Sequence, residues 1–221
     1  MNEQDLHSKE IGVAPWQQGN IVLTGASGSG KTAVGKHLAQ LSGLGFVDVD
    51  KMIERKVGKS IVAIFETDGE STFREYESKV LSELREARGQ IIAVGGGALL
   101  SDAAIDLAHR IGPIVWVQSS PVEVARRLYK KAGEMEIRPL FKDLMGEENH
   151  EKRRDLIQAR VQKMMDDRRP WYTKADLVLD GSYVTPEMAA HHLKDILTTE
   201  GLLIADKNRF ASWHKNGDRT L

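Results

Sequence analysis

The sequence contains no cysteine among its 221 residues, and this absence excludes several classes of function. Disulfide bridges cannot form, and neither a thiolate zinc site nor a cysteine nucleophile is possible. An excess of positive charge is also missing, because 31 Lys and Arg residues face 32 Asp and Glu residues. Nucleic acids and anionic membranes attract proteins with clustered positive charge, so we expect neither to be the main partner.

Long apolar segments are missing as well. The first ten residues, MNEQDLHSKE, lack the apolar core of a secretory signal. No segment approaches the roughly 20 consecutive apolar residues that a membrane span needs. We therefore expect a soluble, cytoplasmic protein, and we expect it to be a monomer.

What the sequence does contain is a regular alternation of short apolar segments with segments of helical spacing. This order is typical of βα units and predicts an α/β fold, a three-layer sandwich with a mostly parallel, five-stranded sheet between helices. We expect one domain over residues 20–204, with an N-terminal extension over 1–19 and a polar tail over 205–221. The charged segment at about 131–149 is a candidate mobile lid. The predicted strands are residues 20–24, 46–49, 90–94, 113–118 and 175–180.

The segment GASGSGKT, Gly25 to Thr32, matches the phosphate-loop pattern G-x-x-x-x-G-K-[ST] between a predicted strand and a predicted helix. Glycines let backbone N–H groups surround an anion, and the helix N-terminus adds positive potential. The lysine of such a loop reaches the β- and γ-phosphates, and the following hydroxyl binds magnesium. The motif predicts a nucleoside triphosphate with Mg²⁺ but does not decide between ATP and GTP. The predicted nucleotide-binding residues are Gly28, Ser29, Gly30, Lys31, Thr32 and Ala33.

Two carboxylates lie at the end of the second predicted strand, in GFVDVD. Asp48 and Asp50 are two residues apart, so on an extended chain they point to the same side. The third predicted strand ends in three glycines and offers no acid for magnesium. Asp48 is therefore the best candidate for a metal ligand. The ordinary alternative is a solvated turn in which an Asp caps a helix.

Glycines and arginines provide the remaining candidates. Gly95, Gly96 and Gly97 follow a strand and would allow a ligand to approach the backbone closely. Arg74, with Glu77 one helical turn later, would by itself be read as a surface ion pair. Taken together with Arg138 and Arg168, it indicates groups that bind a phosphoryl group and clamp a substrate carboxylate. Arg169 is adjacent, and the sequence leaves the choice between Arg168 and Arg169 open.

These segments give the chain a resemblance to the shikimate kinase family. The matching segments occur in the family's order over about residues 20–199. The resemblance implies a P-loop fold like that of nucleoside monophosphate kinases, with a mobile lid. It also implies transfer of the ATP γ-phosphate to the 3-hydroxyl of shikimate, in the biosynthesis of aromatic amino acids. The segments are GASGSGKT, FVDVDKMIE, GKSIVAIFETDGESTFREYE, AVGGGALL, VARRLYKK, RPLF and RRPWYTKADLVLD.

The resemblance also implies roles for individual residues. Lys31 and Thr32 match the nucleotide and magnesium residues, and Asp48 matches the acid of the magnesium shell. Asp50 matches the acid that holds the shikimate hydroxyls, which makes Lys31, Asp50 and Arg138 the expected catalytic residues. The remaining implied roles are as follows: Arg74 and Arg168 grip the shikimate carboxylate, Gly96 and Gly97 contact substrate through their backbone, Glu77 orients the pocket, Arg138 is the lid arginine on the phosphates, and Arg127 lies near the adenine.

Two alternatives remain open at this stage. A gluconate kinase also combines a GxSGSGK[ST] loop with Asp-x-Asp, but it would place His-Pro soon after the second Asp, where this chain has Lys51, Met52 and Ile53. A kinase-like binding module without activity would have the same fold, since fold alone does not fix function. Against that module, each candidate catalytic position carries the residue type that the chemistry needs.

Overall fold

The computed structural model describes residues 19–132, 141, 144, 146–181 and 185–203. Within these ranges the chain forms five strands and eight helices in an alternating order. The strands are β1 (Ile21–Thr24), β2 (Gly45–Asp48), β3 (Gln90–Ala93), β4 (Ile114–Val117) and β5 (Leu177–Leu179). The helices are α1 (Lys31–Ser42), α2 (Val49–Val57), α3 (Ile61–Thr67), α4 (Gly69–Leu84), α5 (Asp102–His109), α6 (Pro121–Ala132), α7 (His150–Tyr172) and α8 (Pro186–Thr199).

The strands form one sheet in the order β2-β3-β1-β4-β5, and all four pairings are parallel. This arrangement confirms the predicted α/β class and the five-stranded parallel sheet. β1 lies at the centre, where Val22 pairs with Ile92 on one side and Ile114 on the other. Because parallel strands end at the same edge, the segments that follow β1, β2 and β3 come together there.

Helices cover both faces of the sheet, as the apolar strands predict. The side chains of β1 alternate between two cores with the period of two that a strand imposes. Val22 packs with residues of α2, α4 and α5, whereas Ile21 and Leu23 pack with residues of α1 and α8. A third cluster joins α6 and α7 beside Ala26 of the phosphate loop. No helix among the described residues is long and apolar enough to cross a membrane.

The second strand ends earlier than the sequence predicts, and this changes the relation between the two carboxylates. β2 ends at Asp48, whose side chain accepts a hydrogen bond from the Lys51 backbone N–H and so caps α2. Asp50 then lies in the first turn of α2. The expectation that both carboxylates project from one extended strand is therefore wrong, because the cap converts the chain to helix between them.

Candidate active site

The phosphate loop connects the end of β1 to the start of α1. Gly28 and Gly30 adopt left-handed backbone angles, with φ values of 87° and 106°, which side chains with a Cβ rarely tolerate. Gly30 is the N-cap of α1 and supplies no side-chain bond to the first turn, so the N–H groups there lack a side-chain cap. Lys31 is buried, and its Nζ donates to the carbonyls of Gly25 at 2.7 Å and Ala26 at 3.0 Å.

Asp48 links the second strand to the phosphate loop. The Thr32 hydroxyl donates to Asp48 Oδ2 at 2.9 Å, while Oδ1 caps α2. A hydroxyl and a carboxylate oxygen held this close are the ligand types that Mg²⁺ prefers, alongside phosphate and water. In the part of the chain that the structure describes, no cluster of three or more His, Cys, Asp or Glu residues could hold a metal ion. The pair therefore fits a magnesium ion that phosphates also coordinate, as is usual for this metal.

Each of the three glycines after β3 leaves room for a different part of the site. A Cβ on Gly95 would lie 3.0 Å from Asp50 Oδ1 and still closer to Glu77 Oε1. A Cβ on Gly96 would lie 2.9 Å from the Ser27 backbone nitrogen of the phosphate loop. A Cβ on Gly97 would lie 2.7 Å from Arg74 Nη2. A side chain at Gly96 would meet the backbone of the phosphate loop, whereas a side chain at Gly95 or Gly97 would have to displace the end of Glu77 or Arg74.

Arg74 lies between two acids on its own helix. Its Nη1 donates to Glu77 Oε2, and its Nη2 donates to Glu70 Oε1 at 2.9 Å. Glu77 is only 2% exposed, so the pair is not the surface interaction that the spacing alone would suggest. Burial raises the pKa of Glu77, Arg74 opposes that change, and Asp50 adds to it, which leaves the pKa at about 7.

Arg168 reaches the glycine segment from α7. Its Nη1 donates to the Gly96 carbonyl at 3.1 Å, and the Tyr172 hydroxyl donates to the same oxygen at 2.7 Å. The Tyr172 ring stacks on Trp116 of β4, which fixes this end of the helix against the sheet. Arg169, by contrast, is 61% exposed at its side chain and has Asp166 Oδ1 at 4.0 Å. The geometry therefore favours Arg168 over its neighbour.

Arg127 contacts the phosphate loop from α6. Its Nη1 donates to the Ser29 carbonyl at 3.1 Å and to the Gly28 carbonyl at 3.4 Å. Its Nε donates to Glu123 Oε1 at 2.8 Å. Arg138 lies outside the described residues, as does most of the candidate lid, so its role stays a prediction.

An open cavity of about 860 Å³ connects these groups. Its walls include the phosphate loop, Asp48, Asp50, Gly95, Gly96 and Arg127, together with Asp180, Thr185 and Pro186. Arg168 lies next to this cavity through its bond to the Gly96 carbonyl, and Arg74 lies beside Gly97, the residue that follows. The structure therefore brings the described candidate residues together around the carboxyl edge of β1, β2 and β3.

Sequence reasoning missed several groups of this site. Tyr172 lies in the segment RRPWYTKADLVLD but was given no role from the sequence, and only the fold brings its hydroxyl to Gly96. Glu123 looks like an ordinary helix acid, although its spacing of four from Arg127 is typical of an ion pair on a helix. Contacts between residues so distant in sequence as Tyr172 and Gly96 leave no local pattern.

A comparison with protein families identifies the chain. The family model described as shikimate kinase matches residues 27–198, which is well over half of the sequence. The chain belongs to the shikimate kinase family. Enzymes of this family are ATP-dependent kinases that act on a hydroxyl of shikimate, and the predicted enzyme class is thereby confirmed.

Similar proteins of known sequence and structure agree with this membership. The chain is 39% identical over 159 residues to a shikimate kinase of Chlorobaculum parvum, covering 72% of this chain and 81% of that protein. It is 40% identical over 157 residues to one of Chlorobium limicola, covering 71% of this chain and 75% of that protein. A solved shikimate kinase of Acinetobacter baumannii, in complex with shikimate, matches with a TM-score of 0.72 and 30% identity, covering 85% of this chain and 97% of that one.

Proposed function

We propose that this protein transfers the γ-phosphate of ATP to the 3-hydroxyl of shikimate and releases ADP and shikimate 3-phosphate. One observation carries the proposal most directly. The glycine segment 95–97 packs against the phosphate loop through Gly96 and against Arg74 through Gly97. A site for a phosphate donor therefore lies next to cations that suit a carboxylate-bearing acceptor.

On the donor side, the loop residues Gly28, Ser29, Gly30 and Ala33 would surround the phosphates, with Lys31 and Arg138 neutralising their charge. Thr32 and Asp48 would hold Mg²⁺, which, when bound, offsets negative charge on the phosphates. Arg127 would lie near the adenine. The Thr32–Asp48 distance of 2.9 Å and the left-handed glycines support this assignment.

On the acceptor side, Arg74 and Arg168 would grip the shikimate carboxylate, and Gly96 and Gly97 would contact the substrate through the backbone. Asp50 would hold the attacking hydroxyl and accept its proton as the bond to phosphorus forms. Phosphoryl transfer depends mainly on positioning and charge stabilisation, so this role does not require a strong base. The position of Asp50 on the cavity wall, against Gly95, supports it.

A coupled assay of ADP release tests the proposal. The protein is supplied with ATP, MgCl₂ and either shikimate or gluconate, and formation of shikimate 3-phosphate is followed by mass spectrometry. We expect turnover with shikimate and none above background with gluconate. Turnover with gluconate alone would identify a different acceptor. ATP binding without turnover on either compound would identify a binding module.

The role of Asp50 has a separate test. Asp50→Asn keeps the size of the side chain but removes the charge that holds and deprotonates the hydroxyl, so we expect kcat to fall by about 100-fold or more. The affinity for ATP, measured by calorimetry, should stay within about twofold. A kcat within a few fold of the parent would remove Asp50 from the mechanism.

The assembly state and compartment belong to the same proposal. We infer a monomer that works in the cytoplasm. Light scattering at several protein concentrations measures the mass directly, and a mass of twice the 24.6 kDa of one chain would contradict the monomer.

A further inference from the structure

Glu123 of α6 is an acid on the wall of a cavity proposed to bind a polyanion. It lines the same cavity as the phosphate loop. A carboxylate there repels phosphates, and its presence therefore needs a physical explanation. The explanation lies in the two arginines that follow it on the helix.

Glu123 holds both of these arginines. Arg126 donates to it through Nε at 2.8 Å and Nη2 at 2.7 Å, which is the paired geometry that a carboxylate and a guanidinium favour. Arg127 donates through Nε to the same carboxylate at 2.8 Å. The hydrogen bonds from Arg126 and the charges of both arginines lower the pKa of Glu123 to about 2, so the carboxylate is charged at any physiological pH.

Arg127 in turn touches the phosphate loop. Its Nη1 donates to the Ser29 and Gly28 carbonyls, and a Cβ on Gly30 would lie 3.6 Å from that nitrogen. The apolar neighbours on the same helix contact the loop as well, because a Cβ on Gly28 would meet Leu128 at 3.2 Å and Val124 at 3.5 Å. The guanidinium is therefore held by a carboxylate on one side and by the loop on the other.

We propose that Glu123 is a positioning residue for nucleotide binding, which acts by holding the Arg127 guanidinium against the phosphate loop before the nucleotide arrives. The inference rests on the proposed function, since it takes ATP as the ligand of this cavity. An arginine side chain loses considerable rotamer freedom when it is fixed, and a cation already in place avoids that loss on binding. The triad of Glu123, Arg126 and Arg127 also keeps a net charge of +1.

The test separates an effect that passes through Arg127 from a general effect of Glu123. Four proteins are compared by calorimetric titration with ATP and MgCl₂: the parent, Glu123→Gln, Arg127→Ala and the double variant. We expect Glu123→Gln to weaken ATP binding about fivefold in the parent, and by less than about twofold when Arg127 is already alanine. Equal weakening in both backgrounds would overturn the proposal.

Kinetics and a matched control complete the experiment. Glu123→Gln should raise KM for ATP by a similar factor and leave KM for shikimate within about twofold. Glu83→Gln removes the ion pair between Glu83 of α4 and Lys56 of α2, neither of which lines the cavity, and should change neither constant. A purely structural role of Glu123 predicts instead a lower melting temperature with both KM values raised, and that pattern contradicts the inference.

The two proposals can fail separately. If the parent binds ATP but does not phosphorylate shikimate, the proposed function is wrong, and the binding cycle still decides the role of Glu123. If the parent binds no nucleotide, both proposals are wrong.

Discussion

Glu77 is an ionisable residue whose burial has a measurable consequence. Its ordinary pKa of 4.5 rises to about 7 in the folded protein, mainly because burial disfavours the charged form. Between these two values the folded protein binds the proton more tightly than the unfolded chain does. The free energy of unfolding should therefore fall as the pH rises through this window, because the charged carboxylate is destabilising when buried.

The change Glu77→Gln isolates this effect, since the amide cannot ionise. Below pH 4.5 the raised pKa of Glu77 adds on the order of 3 kcal/mol to the free energy of unfolding. This stabilisation is lost as the pH rises to about 7. We expect the parent to lose stability relative to the variant across this window. Urea unfolding of both proteins at several pH values measures the difference, in which titrating groups that do not interact with Glu77 cancel.

A difference between parent and Glu77→Gln that stays flat from pH 4.5 to about pH 7 would mean that burial does not raise the pKa of Glu77.

Gly97 leaves room for the Arg74 guanidinium because it has no Cβ. Because a Cβ there would lie 2.7 Å from Arg74 Nη2, the change Gly97→Ala must displace the guanidinium. We expect KM for shikimate to rise about tenfold, since a displaced arginine no longer meets the carboxylate in a paired geometry. Its backbone φ is not positive, so the melting temperature should change little. Steady-state kinetics with shikimate varied measures the effect.

The change Gly58→Ala should have the opposite effects to Gly97→Ala, because it should lower stability and leave KM for shikimate unchanged. It has φ of 72°, and a Cβ added there would have no atom within 4 Å, so Gly58→Ala strains the backbone without touching a neighbour. We expect it to cost about 1 kcal/mol of stability and to leave KM for shikimate unchanged. A tenfold change in KM for both variants would mean that loss of stability alone affects binding.

Single residues also mark the limit of what the sequence predicts. The phosphate loop and the proposed roles of Lys31 and Thr32 follow from a local motif, because backbone and side chain act within a few residues. The burial of Glu77 does not follow, since helical spacing alone cannot tell a surface pair from a buried one. The choice of Arg168 over Arg169 needs the path of α7 over Gly96, which no local pattern encodes.

At the scale of secondary-structure elements, Asp48 connects the helix α2 to the phosphate loop. One carboxylate oxygen caps α2, and the other accepts from Thr32. The sequence offered a helix cap and a metal ligand as competing interpretations, and the geometry fits both at once. The element that begins after Asp48 also carries Asp50, so the cap determines where the second carboxylate lies.

Two substitutions separate these functions of Asp48. Asparagine is as good a helix cap as aspartate, so Asp48→Asn should keep the melting temperature close to that of the parent. Asp48→Ala should lose about 1 kcal/mol of stability. Both changes remove the charge proposed for the metal, so both should raise the MgCl₂ concentration needed for half-maximal activity. Thermal unfolding and a magnesium titration of the activity measure the two effects.

The result for Asp48→Asn decides between the two roles. A normal magnesium requirement together with full stability would leave Asp48 as a helix cap only. Thr32→Val offers a second test of the metal site, because it removes the hydroxyl without touching the cap of α2.

The elements themselves were largely predictable, because strands of a parallel sheet are continuous apolar segments and their helices carry clear spacing. The order of strands in the sheet does not follow from that spacing, since pairing joins residues as far apart as Val22 and Ile114. The predicted boundary between β2 and α2 was wrong by one residue. Its position depends on a cap hydrogen bond, which apolar spacing does not reveal.

At the scale of the whole molecule, α7 connects the two halves of the site. Near its start it packs on α6 through Ile157 and Val161, in the cluster beside the phosphate loop. Near its end, Arg168 and Tyr172 bond to the Gly96 carbonyl at the acceptor side. One continuous helix thus ties the nucleotide side of the molecule to the glycine segment.

This arrangement predicts that one substitution on α7 weakens binding of one substrate only. Lysine at position 168 keeps the charge but loses the planar fork that pairs with a carboxylate and with Gly96. We expect Arg168→Lys to weaken shikimate binding by about tenfold or more, and to leave ATP binding within about twofold. Because a ligand stabilises the folded state according to its affinity, melting curves with each ligand measure both effects on the whole chain. Arg169→Lys, at the exposed neighbour, should leave both responses unchanged, and an equal loss for the two variants would contradict the assignment of Arg168.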